Sequence, residues 1–159
     1  MTISTKLNRY LQEHDIDYQT IEHVHTNGSL STAVASRVPL NHVAKAVVLQ
    51  DHDGHNMMAV LQADKKISMS ALNAKFNAKF HLSREKEVYK MFADCDEGAI
   101  PPIGEAYNMR MVCDQLLDNL DEVYIEAGDH QTLLKIERKD FKKITSHAKH
   151  TRFGKEVYH

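Results

Sequence analysis

The residues able to do chemistry in this 159-residue chain lie in three places. The first is Lys45, the charged residue within Val43-Ala44-Lys45-Ala46-Val47-Val48-Leu49. Alternation along a strand sets it on the same face as Val43, Val47 and Leu49. An ammonium in such a row reaches water, pairs, or lines a polar cavity. In the last case it offers a fixed charge for a phosphate or carboxylate. The second place is Glu97-Gly98-Ala99-Ile100-Pro101-Pro102-Ile103-Gly104, which holds two of the three prolines and two of the six glycines. Proline fixes φ and removes a donor, and glycine admits positive φ, so this backbone is pinned. Amides at Gly98, Ala99 and Ile100, unpaired before the prolines, can point at a ligand oxygen. The competing reading is a rigid connector between a helix and a strand. The third place is His130, beside Asp129 in a turn between two apolar runs. A turn histidine is ordinarily solvated; in a pocket it serves as a donor, or as a base near neutral pH.

Other reactive side chains form weaker patterns. His23 and His25 alternate on a short extended stretch, His52 and His55 flank a hairpin turn, and His147 and His150 lie near the end. None joins a cysteine or carboxylate set at zinc-site spacing, so no metal or other cofactor is expected. Cys95 and Cys113 have no sequence context that would activate a thiolate, and Cys113 reads as core. Asp94, Asp96 and Glu97 read as a solvated helix end, and Met57, Met58, Met109 and Met111 as core filling. There is no Gly-x-Ser-x-Gly elbow, no Gly-x-Gly-x-x-Gly and no phosphate loop.

The elements that must position these residues are short. A helix is expected over 5–14, capped by Thr5, with Leu7, Tyr10 and Leu11 on one face. A strand follows at 17–22, then a turn at Asn27-Gly28-Ser29. Ser31 caps a helix over 32–37, which Pro39 stops. Two apolar strands, 43–50 and 55–62, flank turn chemistry at Asp51-His52-Asp53-Gly54. A helix is expected over 65–77, a strand at 80–82, and a helix capped by Ser83 that runs to 92. Further strands fall at 109–113, 122–126 and 132–136, with a turn or helix at 114–119 and a helix at 138–144. The polar, basic, His-rich stretch 146–159 is expected to be loosely held. The pattern is an α+β domain over 1–145, with a mixed, mostly antiparallel central sheet, partly barrel-like, surrounded by short helices.

Composition sets outer bounds. Hydrophobic content of 42% and charged content of 26% are ordinary for a globular domain with a real core. A formal charge of -2 argues against a protein that grips a long duplex. No apolar run approaches a membrane span, and the first residues do not start a signal peptide, so a cytoplasmic setting is expected.

Taken in order, the strand lysine, the Gly98-Ala99-Ile100-Pro101-Pro102 loop and Ala127-Gly128-Asp129-His130 resemble the YbaK and prolyl-tRNA-synthetase-associated editing domain family, over about residues 5–145. The resemblance implies a mixed sheet with helices around a pocket. It implies a free-standing aminoacyl-tRNA deacylase that hydrolyses amino acids wrongly attached to tRNA, with alanine on proline tRNA the leading substrate and serine or threonine next. It places the family's lysine at Lys45, its Gly-x-x-x-Pro loop on Gly98, Ala99, Ile100, Pro101 and Pro102, and its hairpin-turn histidine at His130, with Asp129 beside it as a substrate-binding residue. The amides of Gly98, Ala99 and Ile100 would hold the aminoacyl carbonyl. Lys45 would bind the terminal adenosine or its phosphate, and a water helped by a tRNA hydroxyl would attack. Ala46 stands where several members carry a polar residue, which bears on the substrate subgroup. The partners implied are the tRNA acceptor end and a synthetase acting alongside, for a monomer or weak dimer with no membrane role. The alternative is a non-catalytic module that binds a nucleotide or aminoacyl group and regulates a partner.

Overall fold

The computed structural model describes residues 3–26 and 29–157, with the backbone alone at 29 and 30. The expected turn at Asn27 and Gly28 lies outside the described residues. Helix α1 (Thr5–Glu13) buries Leu7, Tyr10 and Leu11. Its cap is Ser4, whose Oγ accepts from the Leu7 amide at 3.2 Å, and not Thr5. Strand β1 (Gln19–Glu22) and helix α2 (Ser29–Ser36) follow. Ser31 therefore lies within α2 and does not cap it.

The strongest apolar runs form β2 (Ala44–Gln50) and β3 (Asn56–Gln62), an antiparallel hairpin with Lys45 opposite Leu61. Beyond them, the expected single helix over 65–77 divides in two. Lys66–Ile67 is a short strand, β4, and helix α3 (Met69–Phe76) starts at Ser68, whose side chain accepts from the Ala71 amide. Strand β5 (His81–Leu82) precedes helix α4 (Glu85–Met91). Ser83 does not cap α4: its amide pairs with the Val48 carbonyl, and the N-cap position falls to Arg84, without a side-chain bond. The chain then runs through the proline loop and a 3-10 turn, Gly104–Tyr107, to β6 (Arg110–Asp114). Strands β7 (Glu122–Glu126) and β8 (Thr132–Glu137) form a second hairpin, followed by helix α5 (Arg138–Ile144).

The last stretch corrects an expectation. Residues 149–151 form β9 (Lys149–Thr151), which adds in parallel to β6, and β10 (Gly154–Lys155) pairs with β4. Phe153 between them is only 2% exposed. Its amide and that of Gly154 both donate to Asp114 Oδ2, at 2.9 and 2.6 Å. A basic, histidine-rich segment is thus held by one aromatic anchor and one buried carboxylate.

Three sheets result, with orders β5-β2-β3-β6-β9, β1-β8-β7 and β10-β4. Pairing is mixed and mostly antiparallel; among the described strands, β3–β6 and β6–β9 run parallel. The barrel-like element of the expectation does not hold, because the five-stranded sheet ends in open edges at β5 and β9. Among the described residues, one isolated bridge, Val43 to Tyr124, connects it to the three-stranded sheet. Strand β2 separates two sets of neighbours. Ala44, Ala46 and Val48 face the main core cluster, to which Ile100 and Ile103 belong. Val43, Val47 and Leu49 face two smaller clusters. Among the described residues, no helix is long and apolar enough to cross a membrane.

Candidate functional site

The β7–β8 turn, residues 127–131, is the hub on which the site is built. Its carbonyls receive four distant amides: Ser4 on Ala127 at 2.9 Å, Asp96 on Gly128 at 2.7 Å, Thr26 on His130 at 3.2 Å and His23 on Gln131 at 2.9 Å. The N-terminus, the segment before α2 and the loop after α4 therefore converge on one turn. Gly128 is required there, since φ is +109° and an added Cβ would lie 3.2 Å from Ser4 Cβ and 3.3 Å from Cys95 Sγ.

Asp129 shapes the turn. Its Oδ1 accepts from the amides of Gln131 and Thr132, and its Oδ2 from the Thr132 hydroxyl at 3.0 Å. That is an Asx-type turn, and it gives Asp129 a structural duty in the hairpin. His130 adopts φ +56° and is 3% exposed, so the solvated reading of this turn histidine does not hold. Its Nε2 hydrogen-bonds the Glu97 carbonyl. A carbonyl only accepts, so Nε2 carries a proton; in the neutral tautomer that this bond selects, Nδ1 keeps a lone pair.

That bond carries His130 to the proline loop. Gly98 has φ +79°, and a Cβ built on it would sit 3.5–3.6 Å from the His130 ring. Within the loop, the Ala99 amide donates to Asp96 O at 3.1 Å and Ala99 is buried. Ala99 therefore drops out as a ligand donor, because its N–H closes a local turn. Among the described residues, the amides of Gly98 and Ile100 have no such partner and lie outside every strand ladder. Pro101 and Pro102 are buried and stiffen the loop.

A polar network fixes the start of the loop. The Ser4 hydroxyl donates to Asp94 Oδ2 at 2.5 Å and lies 2.6 Å from Tyr107 Oη, which itself donates to Asp94 Oδ1 at 3.1 Å. The Lys6 amide adds a third donor to Asp94 at 3.1 Å. Burial pushes the Asp94 carboxyl up, but these donors outweigh it and hold the group below its ordinary range. Asp94 is thus an exposed helix-end carboxylate that also acts as a clasp. Cys95 sits in the same network, and burial pushes its thiol up to about 11. Burial raises the Cys113 thiol further. Both shifts favour the protonated thiol, which is not the nucleophilic form.

Behind His130 lies a buried group that the sequence did not single out. Glu126, the last residue of β7, is 6% exposed. Burial pushes its carboxyl up to about 7; a Thr32 hydrogen bond and His130 pull the other way, and Asp129 adds to the rise. Thr32 and Thr26 hydroxyl oxygens are 2.6 Å apart, and His25 packs edge-on to the His130 ring at 5.6 Å. Among the described residues, Glu126 Oε2 and His130 Nδ1 are both buried without a hydrogen-bond partner.

The loop clamped to a hairpin-turn histidine, on a mixed sheet of this order, can be set beside known proteins. A family model for the aminoacyl-tRNA editing domain matches residues 22–144. The chain belongs to the aminoacyl-tRNA editing domain family. Among solved structures, a protein described as hypothetical is 19% identical, with a TM-score of 0.83 over 94% of this chain and 99% of that one. A candidate trans-editing enzyme for prolyl tRNA synthetase is 15% identical, with a TM-score of 0.80 over 96% of each chain. A candidate signal transduction protein from Marinobacter aquaeolei VT8 is 20% identical, with a TM-score of 0.78 over 94% of this chain and 30% of that one. At these identities the likeness shows the fold alone. No curated protein matches the chain.

Within this editing domain, Lys45 stands apart from the His130–Gly98 pair. Its Nζ donates to the Lys65 carbonyl at 2.6 Å and reaches the Ala63 carbonyl at 3.5 Å. Burial lowers its pKa, with Asp64 opposing that shift. Two of its three N–H donors thus face the β3–β4 turn, and among the described residues no hydrogen bond joins it to the proline loop. One group of potential metal ligands occurs among the described residues: Asp51, Asp53 and His55. Its central carboxylate is already engaged. Asp51 Oδ1 accepts the amides of Asp53 and His55, and Oδ2 faces Arg110 at 3.3 Å. The grouping is explained as hairpin-turn chemistry.

Proposed function

We propose that this editing domain is a trans-acting deacylase, which hydrolyses the ester between tRNA and a wrongly attached small amino acid. The observation that carries the reading is the loop whose Gly98 packs on the His130 ring and whose Gly98 and Ile100 amides have no partner among the described residues, in a domain of the editing family. The Gly98 and Ile100 amides receive the carbonyl oxygen and stabilise the oxyanion as a water attacks, with the neighbouring tRNA hydroxyl assisting. Each such donor is worth about 10²–10³ in rate. His130 holds the loop at the distance the ester requires and contacts the aminoacyl group. Lys45 uses its remaining N–H toward the terminal adenosine or its phosphate. The raised thiols leave water as the attacking group. A confined pocket selects by excluding larger side chains. Alanine on proline tRNA is the leading substrate, then serine or threonine esters.

The test is deacylation of a panel of mischarged tRNAs by wild type, Lys45→Ala, His130→Ala and Gly98→Ala. Wild type clears at least one small-residue ester, and Gly98→Ala, which strains the φ +79° backbone that presents the amide, lowers the rate. Failure of wild type on every pair, at enzyme levels well above trace, rejects the reading. Tight binding of a non-hydrolysable mimic without turnover would instead favour the non-catalytic module.

A further inference from the structure

The orphaned atoms behind the loop specify a ligand chemistry. His130 Nε2 is committed to the Glu97 carbonyl, so in the neutral ring Nδ1 is an acceptor. Glu126 Oε2 is buried and, among the described residues, has no hydrogen-bond partner. Two buried acceptors in one cluster therefore lack donors. Leaving such groups unmet is destabilising, more so for a charged one. A carboxylate nine-tenths buried is matched best by a cation with several N–H groups. The Thr32 hydroxyl supports one side of Glu126, and Asp129 and His130 are the titratable groups that face it. The cluster lies directly behind the histidine that touches Gly98. An α-amino ester has the matching layout, because its ammonium sits two bonds from the carbonyl carbon that the loop amides address.

We propose that Glu126 Oε2 and His130 Nδ1 together receive the α-ammonium group of the aminoacyl ester. The site then reads a free α-amino group as well as side-chain size, and it discriminates against N-acylated esters. This rests on the deacylase reading for its substrate, and its test is separable from that reading.

The measurement is calorimetric binding of two stable mimics, 3′-deoxy-3′-alanylaminoadenosine and its 3′-propionylamino counterpart, which lacks the amine. Wild type binds the alanyl form on the order of tenfold or more tightly, as a charge-assisted hydrogen bond implies. Glu126→Gln narrows the difference to within about twofold. Equal affinity of wild type for both mimics overturns the proposal, as does a preference that survives in Glu126→Gln, or no binding of either. The wild-type comparison needs no variant, so a misfolded mutant does not obscure it. A crystal structure with the alanyl mimic showing only water between Glu126 and His130 also overturns it. A wild type that prefers the alanyl mimic yet deacylates no tRNA rejects the deacylase reading and leaves this inference standing.

Discussion

Burial lifts the Glu126 carboxyl from 4.5 to about 7. Between those values the folded protein keeps a proton that the unfolded chain has released. Folded-state stability therefore falls as pH rises from about 4.5 to about 7 and levels off above. Asp129 and His130 face the same group from the β7–β8 turn, and Thr32 faces it from α2. The shift corresponds to about 3 kcal/mol of stability withheld at pH 8. Urea unfolding of Glu126→Gln is expected to show a gain over wild type at pH 8 that shrinks toward pH 4.5; a gain independent of pH would mean that the carboxyl does not titrate with folding. Little of this was legible in the sequence. A glutamate at the end of a strand reads as solvated, because the partners that bury it, Thr32 and His130, come from α2 and from a turn. Lys45 is the converse case. Its place on a mostly apolar face was readable from strand alternation, but the Ala63 and Lys65 carbonyls that hold it follow 18 and 20 residues later, where no local pattern points back to it.

At the scale of elements, the hairpins were plain because their apolar runs are long and bounded by turn residues. The loop and His130 were found as ordered motifs, and the structure joins them through Glu97 and Gly98. The C-terminal strands leave no sequence pattern, for a physical reason. A two- or three-residue strand has no period, and Phe153 is one aromatic among charged neighbours. The same gap hid β4, since Lys66 and Ile67 are strand only because Lys155 and Gly154 lie opposite. Phe153→Ala is expected to cost about 3–5 kcal/mol in thermal or urea unfolding. The loss arises from the anchor alone, because the Asp114 bonds use main-chain amides. A cost below about 1 kcal/mol would place Phe153 outside the core.

Across the whole molecule, a formal charge of -2 leaves no general attraction for nucleic acid. If only the acceptor end is gripped, few phosphates are neutralised. The logarithm of the binding constant for a charged acceptor-stem helix should then fall against the logarithm of salt with a slope no steeper than about -3. A slope near -8 would require a broad contact surface along the tRNA. The convergence on the β7–β8 turn has a further consequence, for synthesis. Ser4 meets Asp94 across 90 residues and Tyr107 across 103, and Thr26 meets His130 across 104. Contacts so distant in sequence close late in folding. On the ribosome, the early helix and the first hairpin emerge long before the turn that locks them to the loop. A nascent chain halted before residue 130 lacks both the clamp and the histidine. Prematurely terminated products therefore carry no partly working copy of the site.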